Sequence, residues 1–324
     1  MLTLMIPTVA SRGELFRRCL CHLQEIHYFG PIIVSDHSVE SEQLVVASII
    51  GEFSALNIKL IIHSQSLHFV ERLLDCAEQA ATPYIMLHAD DDFFFPDAAV
   101  DCLLHLEKNP QMPAARGRMV FFDLSQGNRF NLSTHDGRQR CEEDNSTRVI
   151  KHLENFFATL YAVHRRESFI DAYTKTMQFT KNVIFWQYLA SCLTVNLGPV
   201  VTLDSLHYAR FNNAQGWRAQ LINNRDTEHW PYLYLNPQFS TYFGEFMQGI
   251  KTHCGFSASN EEAFENAFLA LLKRSMGVRV AEGTDPGDLQ IMQRIQTENS
   301  PDYRKMAHIQ KLFAHSFDTV AASL

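Results

Sequence analysis

Tyr84-Ile85-Met86-Leu87-His88-Ala89-Asp90-Asp91-Asp92-Phe93-Phe94-Phe95-Pro96 carries an apolar run straight into three consecutive carboxylates and then into three phenylalanines and a proline. Such a cluster needs a cation. Flanked by Leu87 and the phenylalanines, the three charges repel one another, so they either retain protons or bind a divalent metal. Ligands that offer only oxygen favour Mg²⁺ or Mn²⁺, ions that keep positions open for water and phosphate oxygens. A metal holding a diphosphate is one reading. The other is an acidic turn that caps a helix starting near Asp97, because carboxylates also suit helix N-termini.

On either side of this stretch, the same order of strand, loop and helix recurs. Leu2 to Ile6 is an apolar run stopped by Pro7, and Glu14 to Ile26 carries Leu15, Phe16, Leu20 and Leu23 at helical spacing. Ile32 to Ser35 precedes a helix over Glu42 to Phe53, Lys59 to His63 precedes one over Phe69 to Ala80, and Tyr84 to Leu87 precedes one over Asp97 to Glu107. This alternation predicts an α/β fold whose mainly parallel sheet has helices on both faces. Ligands of such sheets bind beyond the carboxyl ends of the strands, where Asp36 and Asp90 to Asp92 would project together. Arg118 to Phe122 reads as a further strand and Ser125 to Thr147 as a long polar loop or lid. Val149 to Phe157, Glu167 to Gln178 and Phe185 to Val195 read as helices, Tyr161 to Val163 as a short extended piece, and Gly198-Pro199 breaks into a strand Val200 to Leu203. Residues 1–211 are thus expected to form one α/β unit whose strand ends carry the ligand edge. Residues 212–324 read as a second region, with a loop rich in Asn, Trp, Tyr and Arg from Asn212 to Asn236 and a mostly helical C-terminal extension from Asn260 broken at Gly283 to Gly287.

Composition narrows the class. With 324 residues, 46% hydrophobic, the chain can bury a large core, and its net charge of −8 argues against a broad nucleic-acid surface while leaving room for a local basic pocket. Seven scattered cysteines without CxxC spacing indicate neither a zinc site nor a disulfide framework. No apolar run reaches the ~18 residues of a membrane span and the apolar start lacks a basic region, so the expectation is a cytoplasmic protein. A peripheral membrane contact through an amphipathic helix stays open. The sequons at Asn131 and Asn145 then reflect only polar loops. The apolar positions in Ala263 to Leu272 suit an internal core as well as an interface, so the sequence leaves the oligomeric state open.

The order of signals resembles the family 2 glycosyltransferases with the GT-A fold. Ile6-Pro7-Thr8 followed by Arg12-Gly13-Glu14-Leu15 resembles the family's opening strand and loop, with one residue extra before the arginine. Ile33-Val34-Ser35-Asp36-His37-Ser38 is similar to its second-strand signature, whose first aspartate contacts the nucleotide. Phe69-Val70-Glu71-Arg72 resembles the helix before the family's DXD motif, and Pro96-Asp97-Ala98 resembles the segment just after that motif. Asp204 to Arg210 resembles its late strand and arginine. The resemblance implies a nucleotide-sugar donor, Mn²⁺ or Mg²⁺, and sugar transfer to a glycan, glycolipid or protein acceptor, with inversion. The donor would be held by Pro7, Thr8, Arg12, Asp36, Arg72, Asp90, Asp91 and Arg210. The metal would be held by Asp92 together with Asp90 or Asp91.

Two departures from the family pattern carry weight. His88 stands where many members have the first carboxylate of their motif. Lys181-Asn182, ahead of Phe185-Trp186, stands where the family has its catalytic aspartate, and neither residue is a carboxylate base. The base must come from elsewhere, with Asp123 or His207 the candidates, and Asp204 beside them; each would serve equally as a turn or cap residue. Trp217, Trp230, Tyr232 and Tyr234 would stack on an acceptor or simply pack. Two other functions fit the same features: a catalytically inactive nucleotide-sugar-binding or scaffold protein, and a nucleotidyltransferase. The latter usually has a Gly-rich, basic loop after its first strand, whereas Pro7 to Gly13 has one glycine and no lysine.

Overall fold

Leu2–Thr8 forms β1, and all of it except Pro7 is buried, as its unbroken apolar run requires of a strand covered on both faces. In the computed structural model, which describes residues 1–125, 129–134, 139–180, 182, 184–211, 237–275, 290 and 293–314, eight further strands join it. They are β2 (Ile32–Asp36), β3 (Ile58–Ile62), β4 (Tyr84–Leu87), β5 (Phe93–Phe94), β6 (Ala114–Ser125), β7 (Arg129–Thr134), β8 (Val163–Arg165) and β9 (Val200–Phe211). The sheet order is β3-β2-β1-β4-β8-β6-β9-β5, with β7 on β6. β3, β2, β1 and β4 are parallel throughout, and β6 runs parallel to β9. β8, β5 and β7 pair antiparallel to their neighbours.

The helices are α1 (Gly13–Glu25), α2 (Gln43–Gly51), α3 (Phe69–Gln79), α4 (Pro96–Lys108), α5 (Asn145–Glu154), α6 (Arg166–Met177), α7 (Phe185–Leu197), α8 (Phe239–Cys254), α9 (Ala258–Ser275) and α10 (Pro301–Ala314). α3 packs on α6, α6 on α7 and α7 on α5, while α1 packs against α2 and α10. Pro96 opens α4, a position where its missing N–H costs nothing. Asp144 caps α5 by accepting from Thr147 N at 2.6 Å.

Several elements extend past the sequence expectation. β9 runs on to Phe211 instead of ending at Leu203, and β6 spans Ala114–Ser125. The expected loop Ser125 to Thr147 contains β7, paired with β6 from Val120↔Thr134 to Ser125↔Arg129. The β6/β9 ladder shifts register between Arg116 and Met119. There Gly117 lies so close to β9 that an added Cβ would stand 2.5 Å from the Ser205 carbonyl oxygen and 2.6 Å from His207 Cβ. The C-terminal helices cover what the sheet leaves bare. α8 packs on α7 at Gly249, where a Cβ would come within 2.8 Å of Leu189, and α9 packs on α5. α10 closes a second core built from Phe93, Phe95, Val120, Phe122, Leu206, Ala209, Met306, Ile309 and Leu312.

Candidate active site

The strand order sets the location. The chain leaves β1 outward through β2 and β3, then returns to β4 on β1's other side, which makes the β1/β4 boundary the point where order reverses. Thr8 ends β1 there, in register with Asp36 of β2, and the acid loop Asp90 to Asp92 leaves β4 beside it.

The three carboxylates differ sharply. Asp90 is buried and satisfied: it accepts from Thr8 Oγ1 at 2.8 Å and from Arg12 Nε at 2.8 and 2.9 Å, with Arg12 Nη2 2.7 Å from its Oδ1. Asp91 is partly exposed and meets Arg12 Nη2 at 2.7 Å. Burial works against the Arg12 charge, yet Asp90 and Asp91 hold its pKa above the ordinary arginine value. Asp92 is buried; its Oδ1 accepts from Phe211 N at 2.9 Å. Its Oδ2 lies 3.5 Å from Arg210 Nε and has no hydrogen-bond partner. Burial, with the Asp91 charge added, pushes the Asp92 carboxyl up to about 8, against the pull of Arg210, the Phe211 N–H and the Tyr208 hydroxyl.

β9 supplies the other wall. Its alternation sends Tyr208 and Arg210 to the acid-loop face. Tyr208 Oη accepts from Ala89 N at 3.0 Å and lies 2.9 Å from His88 Nδ1, tying the start of the acid loop to the strand. Arg210 is stacked against Tyr161 at 4.6 Å and Phe121 at 5.4 Å, which fixes its plane while one edge turns to Asp92. His88 is fully buried, 3.6 Å from Cys19 Sγ, and pushed down to about 3 by burial and by His22 and His207. It is a neutral core histidine.

At the end of β2, Asp36 is fully buried. Its Oδ1 accepts from Ser38 N at 2.8 Å and Ser38 Oγ at 2.5 Å, while Oδ2 has no partner. Arg72, on α3, lies over the Phe69 ring at 5.2 Å with its Nε unpaired. Burial lowers its pKa, and the charges of Cys76 and Asp36 act in the opposite sense. Pro7, the penultimate residue of β1, is half-buried.

The base candidates separate. Asp123 is half-buried near the end of β6, and strand parity puts it on the face of Phe121 and Arg210. His207 is buried inside the strand instead: its Nδ1 accepts from Gly117 N at 3.2 Å and lies 3.7 Å from Cys102 Sγ, and burial pushes it down to about 3. The expectation that His207 projects at the ligand edge is therefore corrected. It was placed after a strand, and it is inside one. Asp204 is mostly exposed and pairs with Arg118 at 2.8 Å. Asn182 Oδ1 accepts from the N–H groups of Ile184 and Phe185 at 3.0 and 3.1 Å, so it caps the start of α7. Lys181, Trp217, Trp230, Tyr232 and Tyr234 lie outside the described residues. Tyr161, Tyr208 and the Phe211 N–H are participants that sequence reading missed. The i, i+2 pair Tyr208 and Arg210 would have shown the first of these on β9 had the strand been carried past Leu203.

The cluster's chemistry fits a divalent cation. Asp92 Oδ2 is a buried carboxylate oxygen lacking a hydrogen-bond donor, beside the accessible Asp91, and hard oxygens suit Mg²⁺ or Mn²⁺. Asp90 is fully used by Thr8 and Arg12, so the pair left to an ion is Asp91 and Asp92. Among the described residues, no group of three or more His, Cys, Asp or Glu side chains could hold a metal by itself. Water and phosphate oxygens would complete the coordination.

Compared with known proteins, the chain matches no family model and no curated protein by sequence. Its fold is similar to that of S. aureus TarS residues 1–349 in complex with UDP-GlcNAc, with a TM-score of 0.51, 11% identity, and 88% of this chain and 95% of that one covered. A similarity also extends to the mannosyltransferase PcManGT from Pyrobaculum calidifontis in complex with GDP-Man and Mn²⁺, with a TM-score of 0.49, 13% identity, and 97% and 84% covered. The expected GT-A-type architecture is the one found. None of the described helices is long and apolar enough to cross a membrane.

Proposed function

We propose that this chain is a glycosyltransferase that moves a sugar from a nucleotide-sugar donor to a glycan, glycolipid or protein acceptor, with Mn²⁺ or Mg²⁺ and with inversion at the anomeric carbon. The observation that carries the reading is the unpartnered Asp92 Oδ2 beside the ring-stacked Arg210, at the point where the strand order reverses. Asp36 and Arg72 face the nucleoside end, and the acid loop faces the diphosphate. Asp91 and Asp92 would hold the metal, which when bound supplies Lewis-acid neutralisation of the departing diphosphate. Arg210 adds a fixed positive charge on the same side, already oriented by its two rings, so little reorganisation is needed as charge builds on the leaving group. Asp123 takes the proton from the acceptor hydroxyl as that oxygen attacks the anomeric carbon. Residues 1–211 form the donor unit and 212–324 the acceptor side of a cytoplasmic enzyme.

A second reading has its own observation. Asn182 is engaged as a helix cap where the family has its base, which suits a nucleotide-sugar-binding protein without turnover. One experiment addresses both. Melting temperature is measured against nucleotides and nucleotide-sugars with and without Mn²⁺, for the wild type and Asp92→Ala, followed by a transfer and donor-hydrolysis assay with whichever donor stabilises. A Mn²⁺-dependent shift lost in the variant, with turnover, supports the transferase. The same shift without turnover supports the inactive binder, and no shift with any donor overturns both.

A further inference from the structure

Arg12 closes the 3-10 turn Ala10–Arg12 between β1 and α1 and is the cation the acid loop holds on its β1 side. Its guanidinium engages Asp90 through Nε on both oxygens and through Nη2, whereas its hold on Asp91 is the single Nη2 contact with Oδ2 at 2.7 Å. If Nη2 withdrew, Asp90 would still keep both Nε contacts and the Thr8 hydroxyl. Asp92 offers an oxygen with no hydrogen-bond donor on a side chain only 2% exposed, so an ion arriving there needs a second carboxylate from Asp91. Arg12 already holds one of that residue's two oxygens. Arg210 is not the group that yields, because it is packed between Tyr161 and Phe121.

Resting on the reading of this loop as a divalent-ion site, we propose that Arg12 is a resident counter-cation that competes with the divalent ion for Asp91. Ion binding breaks the Arg12–Asp91 contact while Arg12 stays on Asp90, and the Nη2 hydrogen released from Asp91 becomes a hydrogen-bond donor at the rim of the same cleft. Two cations cannot share that carboxylate without strong mutual repulsion, which even at a water-like dielectric amounts to about tenfold in ion affinity. Arg12 thereby sets how much free metal the site requires, and it keeps the loop folded when metal is scarce.

The test is titration of Mn²⁺ into the full chain, read by the electron paramagnetic resonance of free Mn²⁺, for the wild type, Arg12→Gln, and Arg12→Gln with Asp90→Asn. The double variant removes the carboxylate that Arg12→Gln alone would leave buried against Thr8, so the comparison survives if the single variant does not fold. Both are expected to bind Mn²⁺ about tenfold more tightly than the wild type, with a larger Mn²⁺-induced rise in melting temperature. In the wild type, Mg²⁺ is expected to speed hydrogen exchange at Arg12 Nη2 while Nε stays protected. Binding by the wild type with equal or weaker binding by the variants overturns the competition and leaves the metal site standing. No Mn²⁺ binding by any of the three overturns the metal reading itself.

Discussion

The ends of β2 and β4 each present one buried aspartate with one anchored and one open oxygen, yet the two are solved differently. Asp36 stands alone, its anchored oxygen held by the backbone and hydroxyl of Ser38 two residues on. Asp92 belongs to a run of three carboxylates faced by two guanidiniums, and its anchored oxygen depends on Phe211, far along the chain. A lone carboxylate with an open lone pair suits a neutral N–H or O–H donor, as a base or ribose offers. A carboxylate in a cluster with excess negative charge suits a multivalent cation. On the proposed function, the hydrogen-bond state of each oxygen, more than the residue type, would sort nucleoside contacts from ion contacts and both from structural groups such as Asp90.

Single substitutions put this contrast to the test. Asp92→Ala is expected to lower turnover by about 10³–10⁴-fold and to abolish the Mn²⁺-dependent thermal shift, measured by kcat/KM and melting. Asp90→Ala should instead act on stability, costing about 3 kcal/mol in denaturant unfolding, because it strips a buried carboxylate from Arg12 and Thr8. If its loss is catalytic with stability intact, the sorting is wrong. Asp123→Asn should cut kcat by about 10²–10³-fold with KM unchanged, read from steady-state kinetics. Asp36→Asn should weaken nucleotide binding by about 10–100-fold while leaving Mn²⁺ affinity alone, checked by calorimetry.

The smallest effect concerns pH in the metal-free protein. Asp92 has a carboxyl raised from 3.8 to about 8, so the stability tied to its retained proton is full below 3.8 and drains away as pH rises through about 8. Asp92→Asn, which never ionises, should match the wild type in melting temperature near pH 4 and exceed it by several degrees near pH 8. The buried histidines His22 and His164, pushed down to about 4 by burial, lose their stabilising contribution as pH falls from 6.5, but equally in both proteins.

β1, β2 and β4 were legible because they are buried on both faces and therefore read as unbroken apolar runs from Leu2, Ile32 and Tyr84, while the edge strand β3 is only partly covered. The other half of the sheet was not legible. In β9, Leu203-Asp204-Ser205 is half-exposed and lies at a register shift, so polarity interrupts the pattern where the strand continues. That single truncation misplaced His207 and hid Tyr208. Inside the acid loop, three identical side chains gave no means of telling which was satisfied. Their roles are set by Thr8, Arg12, Arg210 and Phe211, none of them close in sequence.

The Phe211–Asp92 bond also bears on the protein during its synthesis. Its two residues are 119 positions apart, so at ordinary translation rates the acid loop waits about 6 to 24 s for the strand that completes it. Throughout that interval the charged partner on offer is Arg12, made 78 residues before Asp90 and just after the Thr8 hydroxyl. On the nascent chain, the arginine that later contends with a metal is the loop's first escort.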